Sequence, residues 1–331
     1  MILNGEKYLG TVKSVVRLLL GVMFITAAIL KLLSIDYFEI YIYSFKIFSF
    51  AMTTVVSRLI IASEILLGLG LIFKVFYKKI WWLSMLMMIG FSLFLIYVII
   101  FRNDENCHCF GELVQLNPSE SIYKNIISII LLLFIRTETE HEYKPVLKNW
   151  IIASSVVVSV ILPFVVFPMD TLYNKFVSKD NNINTIAFEK SLKDSINIVR
   201  LNVVSENDTI IIQRDSITKF NIKDDKYIIN YISAGCKFCK MGTEKLVMML
   251  DRNDIGRTHV KFMIWGYDGD IANFMKESNT ADCEYWFIPP MTSLDITFGK
   301  FPIYVWSDDE TIVNSGDLRN LEEKRLTEFL K

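Results

Sequence analysis

The chain has very little histidine and cysteine, and it lacks an excess of positive charge. Its 331 residues include three histidines and five cysteines, and the formal net charge is -1 at pH 7. With no basic patch, we expect no nucleic-acid partner. A zinc site in the second half would need two more ligands at matched spacing beside Cys236 and Cys239, and only Cys283 and His259 remain there. We therefore expect no bound zinc.

Hydrophobic residues make up 52% of the chain, and most of them lie before residue 170. The first long apolar run has no cleavage site of small residues, so it is read as a retained helix and not as a signal peptide. A short run can also be a buried core helix, which stays open for the fourth run. Five runs reach or approach the roughly 20 residues that cross a bilayer: about Val15–Leu33, Ser57–Phe76, Ile80–Phe101, Ser121–Ile135 and Trp150–Phe167.

Lysine and arginine are unevenly distributed between the two sides of these runs. Basic loop residues mark the cytoplasmic side of a membrane protein. The bias predicts a multi-pass protein of the inner (cytoplasmic) membrane with a cytoplasmic N-terminus and a periplasmic region after Pro168. The predicted cytoplasmic side carries Lys7, Lys13, Arg17, Lys74, Lys78, Lys79, Arg136, Lys144 and Lys148, and the other side carries Lys46, Arg58, Arg102 and Lys124.

Four of the five cysteines form two close pairs. Cys107 and Cys109 flank one residue in the loop between the third and fourth runs, and Cys236 and Cys239 flank two residues in the second half. The predicted topology places both pairs in one extracytoplasmic compartment, where disulfides persist. No cysteine lies in a cytoplasmic loop or deep in a run, so a thiol conduit across the membrane is not expected.

The second half alternates between strand-like and helix-like segments, which indicates an α/β fold. Residues from about 170 to 195 are polar and are interpreted as a tether. The predicted organisation is a four-helix membrane domain over 1–136, a connecting helix over 137–170, a tether with leading strands over 171–225, and an α/β domain over 226–331. The predicted strands are Ile196–Val204, Thr209–Gln213, Tyr227–Ile232, His259–Gly266, Ile303–Trp306 and Thr311–Asn314, and the predicted helices are Cys239–Leu250, Ile271–Lys276 and Asn320–Leu330.

The order strand, Cys-x-x-Cys, helix predicts thiol chemistry. Cys236 falls at a helix N-terminus, where the dipole and free N–H groups stabilise a thiolate, and Lys237 adds positive charge. We predict that Cys236 is the nucleophile and Cys239 the resolving thiol; a structural disulfide is the alternative. Cys283 has no close partner in the sequence and is interpreted as a buried, inert thiol.

Residues from about 226 to 331 resemble the thioredoxin superfamily, and within it the extracytoplasmic TlpA/ResA-like branch. The resemblance is carried by the strand, Cys-x-x-Cys and helix at Tyr227–Leu250 and by the segment Phe301–Val305. It implies a cis-proline at Pro302 that lies against the cysteine pair and contributes to the site.

Two positions depart from that family's pattern. Gly235 stands before the first cysteine, where the family usually has tryptophan or another bulky residue. Asn230 stands where thioredoxin has a buried aspartate that helps to move protons. An uncharged side chain cannot take that role, so a thioredoxin-like proton path is not expected.

Residues from about 10 to 136 resemble the MauE branch of the DoxX-like family, four-helix membrane proteins linked to methylamine utilisation and to disulfide chemistry. The resemblance is carried by Phe24–Lys31, Glu64–Gly68 and, most specifically, Cys107–Gly111. The family more often has glycine between the two cysteines, where this chain has His108.

Two charged residues, Lys31 and Glu64, fall within the predicted membrane spans. Charge in a bilayer is costly, so such residues usually pair or line a site. Lys31 lies near a helix end and has the alternative of reaching the interface with its long side chain. A Lys31–Glu64 pair and a role near a bound quinone both stay open.

We hypothesise a membrane thiol–disulfide oxidoreductase with redox-active disulfides at both pairs. A Cys-x-Cys disulfide closes a small, strained ring and is therefore a good oxidant. His108, when protonated, would favour the neighbouring thiolate, and a solvated loop residue is its alternative. The expected partners are periplasmic client proteins with cysteines, the lipid bilayer and a quinone. The alternatives are a reductase fed by another protein, and an assembly factor or copper chaperone.

Overall fold

The computed structural model describes residues 2–331 except 103, 105–106, 108, 112–113, 115, 171–182, 194–197, 207–208 and 224. The chain divides into two compact units, Met1–Met169 and Asp170–Lys331. The first unit is helical, and the second is a sheet with helices. The predicted fold class, an all-α membrane bundle followed by an α/β thioredoxin-like domain, is confirmed.

Within the described residues, the first unit has four helices that are long and apolar enough to cross a membrane. They are α1 (Ile2–Leu33, apolar from Tyr8), α3 (Phe50–Phe73), α4 (Tyr77–Phe101) and α6 (Pro145–Val166). Two shorter helices complete the unit: α2 (Ile35–Tyr43), which the sequence did not predict, and α5 (Pro118–Phe134), which has 17 residues. The predicted short fourth run is therefore a helix, at the lower limit of the roughly 17–25 residues that span a bilayer.

Helix α5 nevertheless runs beside α4 over most of its length. Trp81 Nε1 near the start of α4 donates to the Leu132 carbonyl near the end of α5, at 2.7 Å. Further along α4, Ser92 Oγ accepts from Asn125 Nδ2 near the start of α5, at 3.3 Å. The two helices are thus antiparallel. At 1.5 Å per residue, α5 is about 25 Å long, and the hydrocarbon core is about 30 Å thick.

Helices α1 and α3 approach each other closely at two glycines. A Cβ atom on Gly21 would lie 2.9 Å from the Gly68 carbonyl oxygen, and one on Gly68 would lie 2.8 Å from that of Gly21. Small residues at such a crossing let two membrane helices touch through their backbones. The same two helices carry Lys31 and Glu64.

The second unit is built on one seven-stranded sheet of order β2-β1-β5-β4-β3-β6-β7. Strand β3 is parallel to β4 and antiparallel to β6, so it lies inside the sheet and is almost wholly buried. The strands are β1 (Val199–Glu206), β2 (Thr209–Asp215), β3 (Lys226–Ser233), β4 (Val260–Trp265), β5 (Glu284–Phe287), β6 (Ile303–Asp308) and β7 (Thr311–Gly316). The helices are α7 (Thr185–Lys193), α8 (Lys237–Arg252), α9 (Asp268–Glu277), α10 (Pro290–Thr297) and α11 (Glu323–Leu330).

The predicted tether is wrong from residue 183 onward. Ile183 and Phe188 are 4% and 0% exposed and belong to the main core of the second unit. Strand β1 pairs with β5, so the leading strands belong to the same sheet. The second unit therefore begins at Asp170 and not at Lys226. The prediction failed because Ile183 and Phe188 are isolated apolar residues in a polar segment, and both are buried in the core of the unit. The rest of the predicted tether, residues 171–182, lies outside the described residues.

Candidate functional site

The cysteine pair of the second unit lies where strand β3 passes into helix α8. Cys236 is the N-cap residue of α8, and its Sγ accepts a hydrogen bond from the backbone N–H of Cys239 at 3.2 Å. Cys236 is half-buried, whereas Cys239 is fully buried. Both are free thiols. The arrangement presents one accessible sulfur and keeps the second beneath it.

The two thiols have opposite proton affinities. The pKa of Cys236 is lowered to about 6, because the Cys239 side chain and the backbone N–H groups of Phe238 and Cys239 donate hydrogen bonds to its thiolate. Burial and the neighbouring thiolate raise the pKa of Cys239 far above its ordinary value. Lys237 is exposed, and hydrogen bonds account for the shift at Cys236. The roles of nucleophile for Cys236 and resolving thiol for Cys239 stay predictions.

Pro302 lies against helix α8 one turn beyond Cys239. The Phe301–Pro302 bond is cis, as the family resemblance implied. A Cβ atom built on Gly242 would lie 3.0 Å from Pro302 Cγ and 2.3 Å from Tyr304 Oη. Gly242 thus lets the helix that carries the cysteines rest directly on the start of β6. A contribution of Pro302 to thiol–disulfide exchange stays a prediction.

Two polar groups are buried under the same helix. Asn230 Nδ2 donates to Thr243 Oγ1 at 3.4 Å, and Asn230 faces Tyr304 in the register of β3 and β6. Asn230 Oδ1 and Tyr304 Oη have no hydrogen-bond partner among the described residues. Asn230 occupies the position under helix α8 where thioredoxin has its buried aspartate, and its side chain is an uncharged amide.

The cysteine pair of the first unit lies in the loop that follows α4. Cys107 is 2% exposed, and its Sγ accepts from the Cys109 backbone N–H at 3.3 Å. Ser121 Oγ, in the first turn of α5, lies 2.9 Å from the same sulfur. Cys109 is half-buried, and both cysteines are free thiols. As a whole residue, Cys109 is therefore the more exposed member of this pair.

The loop thiols also differ in proton affinity. A hydrogen bond from the Cys109 thiol, supported by Ser121, lowers the pKa of Cys107 to about 6 against the opposing effect of burial. Cys109, as the donor of that bond and itself buried, has its pKa raised. His108 lies outside the described residues, so its predicted influence on the pair stays a prediction. The described groups alone make Cys107 the thiolate.

Gly111 fixes this loop to the end of helix α1. It adopts a φ of +67°, which favours glycine, and a Cβ atom there would lie 2.1 Å from Ser34 Oγ and 2.6 Å from the Leu30 carbonyl oxygen. The last residue of the Cys-x-Cys-Phe-Gly sequence therefore has a steric role. It holds the cysteines over the end of the helix that carries Lys31.

Lys31 and Glu64 form a buried ion pair. Lys31 Nζ lies 2.6 Å from Glu64 Oε1, and each side chain is 3% exposed. The ammonium group also lies 5.9 Å and 5.8 Å from the ring centres of Phe38 and Phe91. The pair that the sequence left open is present, and Lys31 does not reach out to an interface.

The loop thiols and this ion pair line one cavity of about 290 Å³. Its walls are otherwise apolar, with aromatic rings from α1, α2 and α4, and two polar residues of α5, Lys124 and Asn125, complete them. Lys124 Nζ lies 4.4 Å from the ring centre of Phe110. Four sequence-predicted residues, Cys107, Cys109, Lys31 and Glu64, thus meet around one space within the first unit.

Residues 9–137 match the family model described as methylamine utilisation protein MauE. The first unit is therefore similar to MauE over most of its length. The chain is also 25% identical over 269 residues to Protein TlpB of Flavobacterium psychrophilum, with 72% of each chain covered. No solved structure matches the chain. These similarities support the predicted combination of a MauE-like membrane region and a thioredoxin-like domain.

Every polar residue that lines the cavity falls inside the MauE match. From the sequence, Lys124 was predicted only as a basic residue on the extracytoplasmic side of the membrane. No role was predicted for Ser121 or Asn125. Their spacing of three and four residues on one helix is a usable signal, since such residues share a face. The sequence does not show which helices Ser121, Lys124 and Asn125 face.

Cys283 stands apart from both pairs. It is 8% exposed, and burial followed by the charge of Asp282 raises its pKa to about 12. A buried thiol that resists ionisation is a poor nucleophile. Among the described residues, no three histidine, cysteine, aspartate or glutamate side chains come together as metal ligands would.

Proposed function

We propose that this protein is a membrane-bound thiol–disulfide oxidoreductase that oxidises client proteins and passes the electrons from Cys236 and Cys239 to Cys107 and Cys109. The observation that carries the proposal is that each unit holds a close cysteine pair in which the Sγ of one cysteine accepts a hydrogen bond from the backbone N–H of the other. In such a pair, one sulfur acts as the nucleophile or the leaving group, and the other thiol resolves the mixed disulfide. The proposed location is the inner membrane, with both pairs periplasmic.

The first step oxidises a client protein. A client thiolate attacks Cys236 Sγ in the Cys236–Cys239 disulfide, and Cys239 leaves. A second client thiolate then attacks the mixed disulfide and releases Cys236 as a thiolate. The client gains a disulfide, and the Cys236–Cys239 pair takes up two electrons. The exposed position of the neighbouring Phe238 leaves room for a client chain at this sulfur.

The second step moves the electrons to the loop pair. Cys236 attacks Cys109, the more exposed residue of the pair, and breaks the Cys107–Cys109 bond. Cys107 leaves as a thiolate that Ser121 and the Cys109 N–H stabilise. Cys239 then attacks Cys236, which restores the Cys236–Cys239 disulfide and releases reduced Cys109. One disulfide and one dithiol exchange places, so the step balances.

The low pKa of Cys236 favours the oxidising direction. A pair whose reduced form is stabilised as a thiolate is the more easily reduced, and it therefore acts as an oxidant toward ordinary protein thiols. The stabilising hydrogen bonds come from the N-terminus of α8 and from Cys239. Thiol states of client proteins in a Cys107→Ser strain test the direction: more reduced clients are expected, and unchanged or more oxidised clients would contradict it.

A trapping experiment tests the exchange itself. In Cys239→Ser, the Cys236 thiolate can still attack the Cys107–Cys109 disulfide, but no thiol remains at position 239 to resolve the product, so a Cys236–Cys109 disulfide should accumulate. Oxidised clients compete for Cys236 in the same way. Adding Cys107→Ser removes the disulfide that Cys236 attacks and should abolish this bond. Peptide mass spectrometry identifies the linked cysteines, and a Cys236–Cys107 bond in place of Cys236–Cys109 would contradict the assigned order. Client binding without turnover, or copper in the purified protein, would instead support an assembly factor or a copper chaperone.

A further inference from the structure

The cavity of the first unit holds two buried acceptor atoms that nothing described satisfies. Glu64 Oε2 and Asn125 Oδ1 have no hydrogen-bond partner among the described residues, and their side chains are almost fully buried. A buried acceptor without a donor is costly, and such groups are rare in folded proteins. Both residues line the cavity. A ligand that fits the cavity should therefore offer two hydrogen-bond donors.

The same cavity also presents two cations. Lys31 and Lys124 both line it, and ammonium groups donate hydrogen bonds to carbonyl oxygens. The remaining wall is apolar and rich in phenylalanine, including Phe38, Phe91 and Phe110. A flat ring with polar oxygens on its rim fits such a lining, because the ring contacts the aromatic side chains. A lipid acyl chain would leave the acceptors and the cations unmatched.

Cys107 and Cys109 line this space together with those residues. Cys107 is buried from solvent, yet it faces the cavity. Its thiol is thus placed to react with a bound molecule and not with a periplasmic protein. A two-electron acceptor that dissolves in the membrane meets the requirement.

We propose that the cavity binds a quinone, and that the reduced Cys107–Cys109 pair converts it to the quinol. This inference rests on the proposed function, which supplies the dithiol. The Cys107 thiolate and the Cys109 thiol lose two electrons and one proton and form the Cys107–Cys109 disulfide. The quinone gains the two electrons, that proton and a second proton from water, and carries one proton on each of its two oxygens. Lys31 and Lys124 donate to the quinone carbonyls, and Glu64 Oε2 and Asn125 Oδ1 accept from the quinol hydroxyls.

A matched pair of substitutions on one helix tests the site. Val56 lines the cavity, whereas its neighbour Val55 is exposed on the outer side of α3 and is absent from the lining. Val56→Phe should fill the space, and Val55→Phe should leave it open. The probe is decylubiquinone, added to the purified full-length protein in lipid nanodiscs. Binding is followed by quenching of intrinsic fluorescence.

We expect saturable binding by the native protein and by Val55→Phe, and loss of binding by Val56→Phe. Glu64→Gln should weaken binding of the corresponding quinol about tenfold or more, because one hydrogen bond to a charged group is lost. Comparable quinol affinity in Glu64→Gln and the native protein would overturn the assigned contact. Equal quinone binding by the two valine variants would overturn the site.

A second readout separates this inference from the proposed function. The redox state of all four paired cysteines is measured after adding a reduced client peptide, with and without decylubiquinone. Exchange between the pairs without quinone reduction would overturn the quinone site and leave the relay intact. Quinone binding without exchange between the pairs would overturn the relay. Quinol formation that Val56→Phe abolishes and Val55→Phe retains supports both.

Discussion

Cys239 donates its backbone N–H to Cys236 Sγ at 3.2 Å, which places a hydrogen-bond donor of a helix N-terminus on the more exposed thiol of the pair. The loop pair repeats the relationship, with Cys109 donating its N–H to Cys107 at 3.3 Å. In the loop, however, the stabilised sulfur is the buried one. Under the proposed mechanism, Cys236 therefore acts as the nucleophile from a half-buried position, and Cys107 leaves as a thiolate from a buried one.

The first prediction concerns the pH dependence of Cys236. Only the thiolate reacts with iodoacetamide, and the pKa of Cys236 is about 6. Its alkylation rate in the reduced full-length protein should rise about tenfold per pH unit below pH 6 and level off above it, since a lowered pKa keeps the thiolate at neutral pH. Peptide mass spectrometry between pH 4 and 9 measures this.

Cys283 supplies the internal control for that experiment. Its pKa is raised to about 12, so its alkylation should remain slow across the whole range. A midpoint for Cys236 near the value of about 8.5 of a free cysteine would contradict the hydrogen-bonded geometry.

A second prediction concerns the contact of Gly242 with Tyr304. Gly242→Ala places a Cβ atom 2.3 Å from Tyr304 Oη, so the helix or the ring must shift. We expect a loss of about 1–3 kcal/mol in the free energy of unfolding. Adding Tyr304→Phe removes the clashing hydroxyl and should recover part of the loss. Unfolding by denaturant, followed by near-ultraviolet circular dichroism, measures both.

Gly269→Ala is the matched control, since no heavy atom lies within 4 Å of its new Cβ position. It should change stability by no more than about 0.5 kcal/mol. Equal effects of the two alanine substitutions would show that α8 does not rest on β6 as described.

The third prediction concerns the attachment of the Cys107 loop. Gly111→Ala adds a Cβ atom 2.1 Å from Ser34 Oγ at a position where φ is +67°. The loop should lift from α1, and Cys107, 2% exposed in the native protein, should become reactive toward a water-soluble maleimide. Gly90→Ala, in the exposed face of α4 with no neighbour within 4 Å, should leave Cys107 protected. Unchanged protection in Gly111→Ala would contradict the role of the glycine.

Much of this architecture could be predicted because its determinants are local. Long apolar runs, and the order of strand, Cys-x-x-Cys and helix, mark elements without knowledge of their neighbours. Helix α2 was missed because its nine residues are too few for a membrane span. The segment around Phe188 was missed because one buried phenylalanine in a polar stretch has no periodic pattern. Strand β5, Glu284–Phe287, has only four residues, which are too few to show the alternation of a strand.

The candidate site could be predicted only in part, for the same reason. The cysteines, Lys31 and Glu64 attract attention because they are rare in their settings. Lys124 and Asn125 are ordinary residues near a helix start, and only the packing of α5 brings them to the cavity. The lowered pKa of Cys107 likewise depends on Ser121, which is 14 residues away. Contacts between distant segments leave no periodic trace in a sequence.

The last prediction separates the structural and chemical roles of the Lys31–Glu64 pair. Lys31→Met leaves the Glu64 carboxylate buried without its cation, which costs about 3–5 kcal/mol for a broken buried pair. The double variant Lys31→Met with Glu64→Gln carries no charge there and should be more stable than Lys31→Met alone. Thermal unfolding in nanodiscs measures the difference. Lys148→Met is the control: its pair with Glu140 is about one-third exposed, and its loss should cost at most about 1 kcal/mol.

The same double variant tests whether the pair takes part in quinone reduction, because we expect it to fold without the two charges. If the pair only stabilises the bundle, the double variant should reduce quinone at the native rate. If the pair binds the quinone and quinol oxygens, the variant should retain exchange between the two cysteine pairs and lose quinone reduction. Double-variant stability equal to the sum of the two single losses would contradict the direct ion pair, since residues in contact are expected to be non-additive.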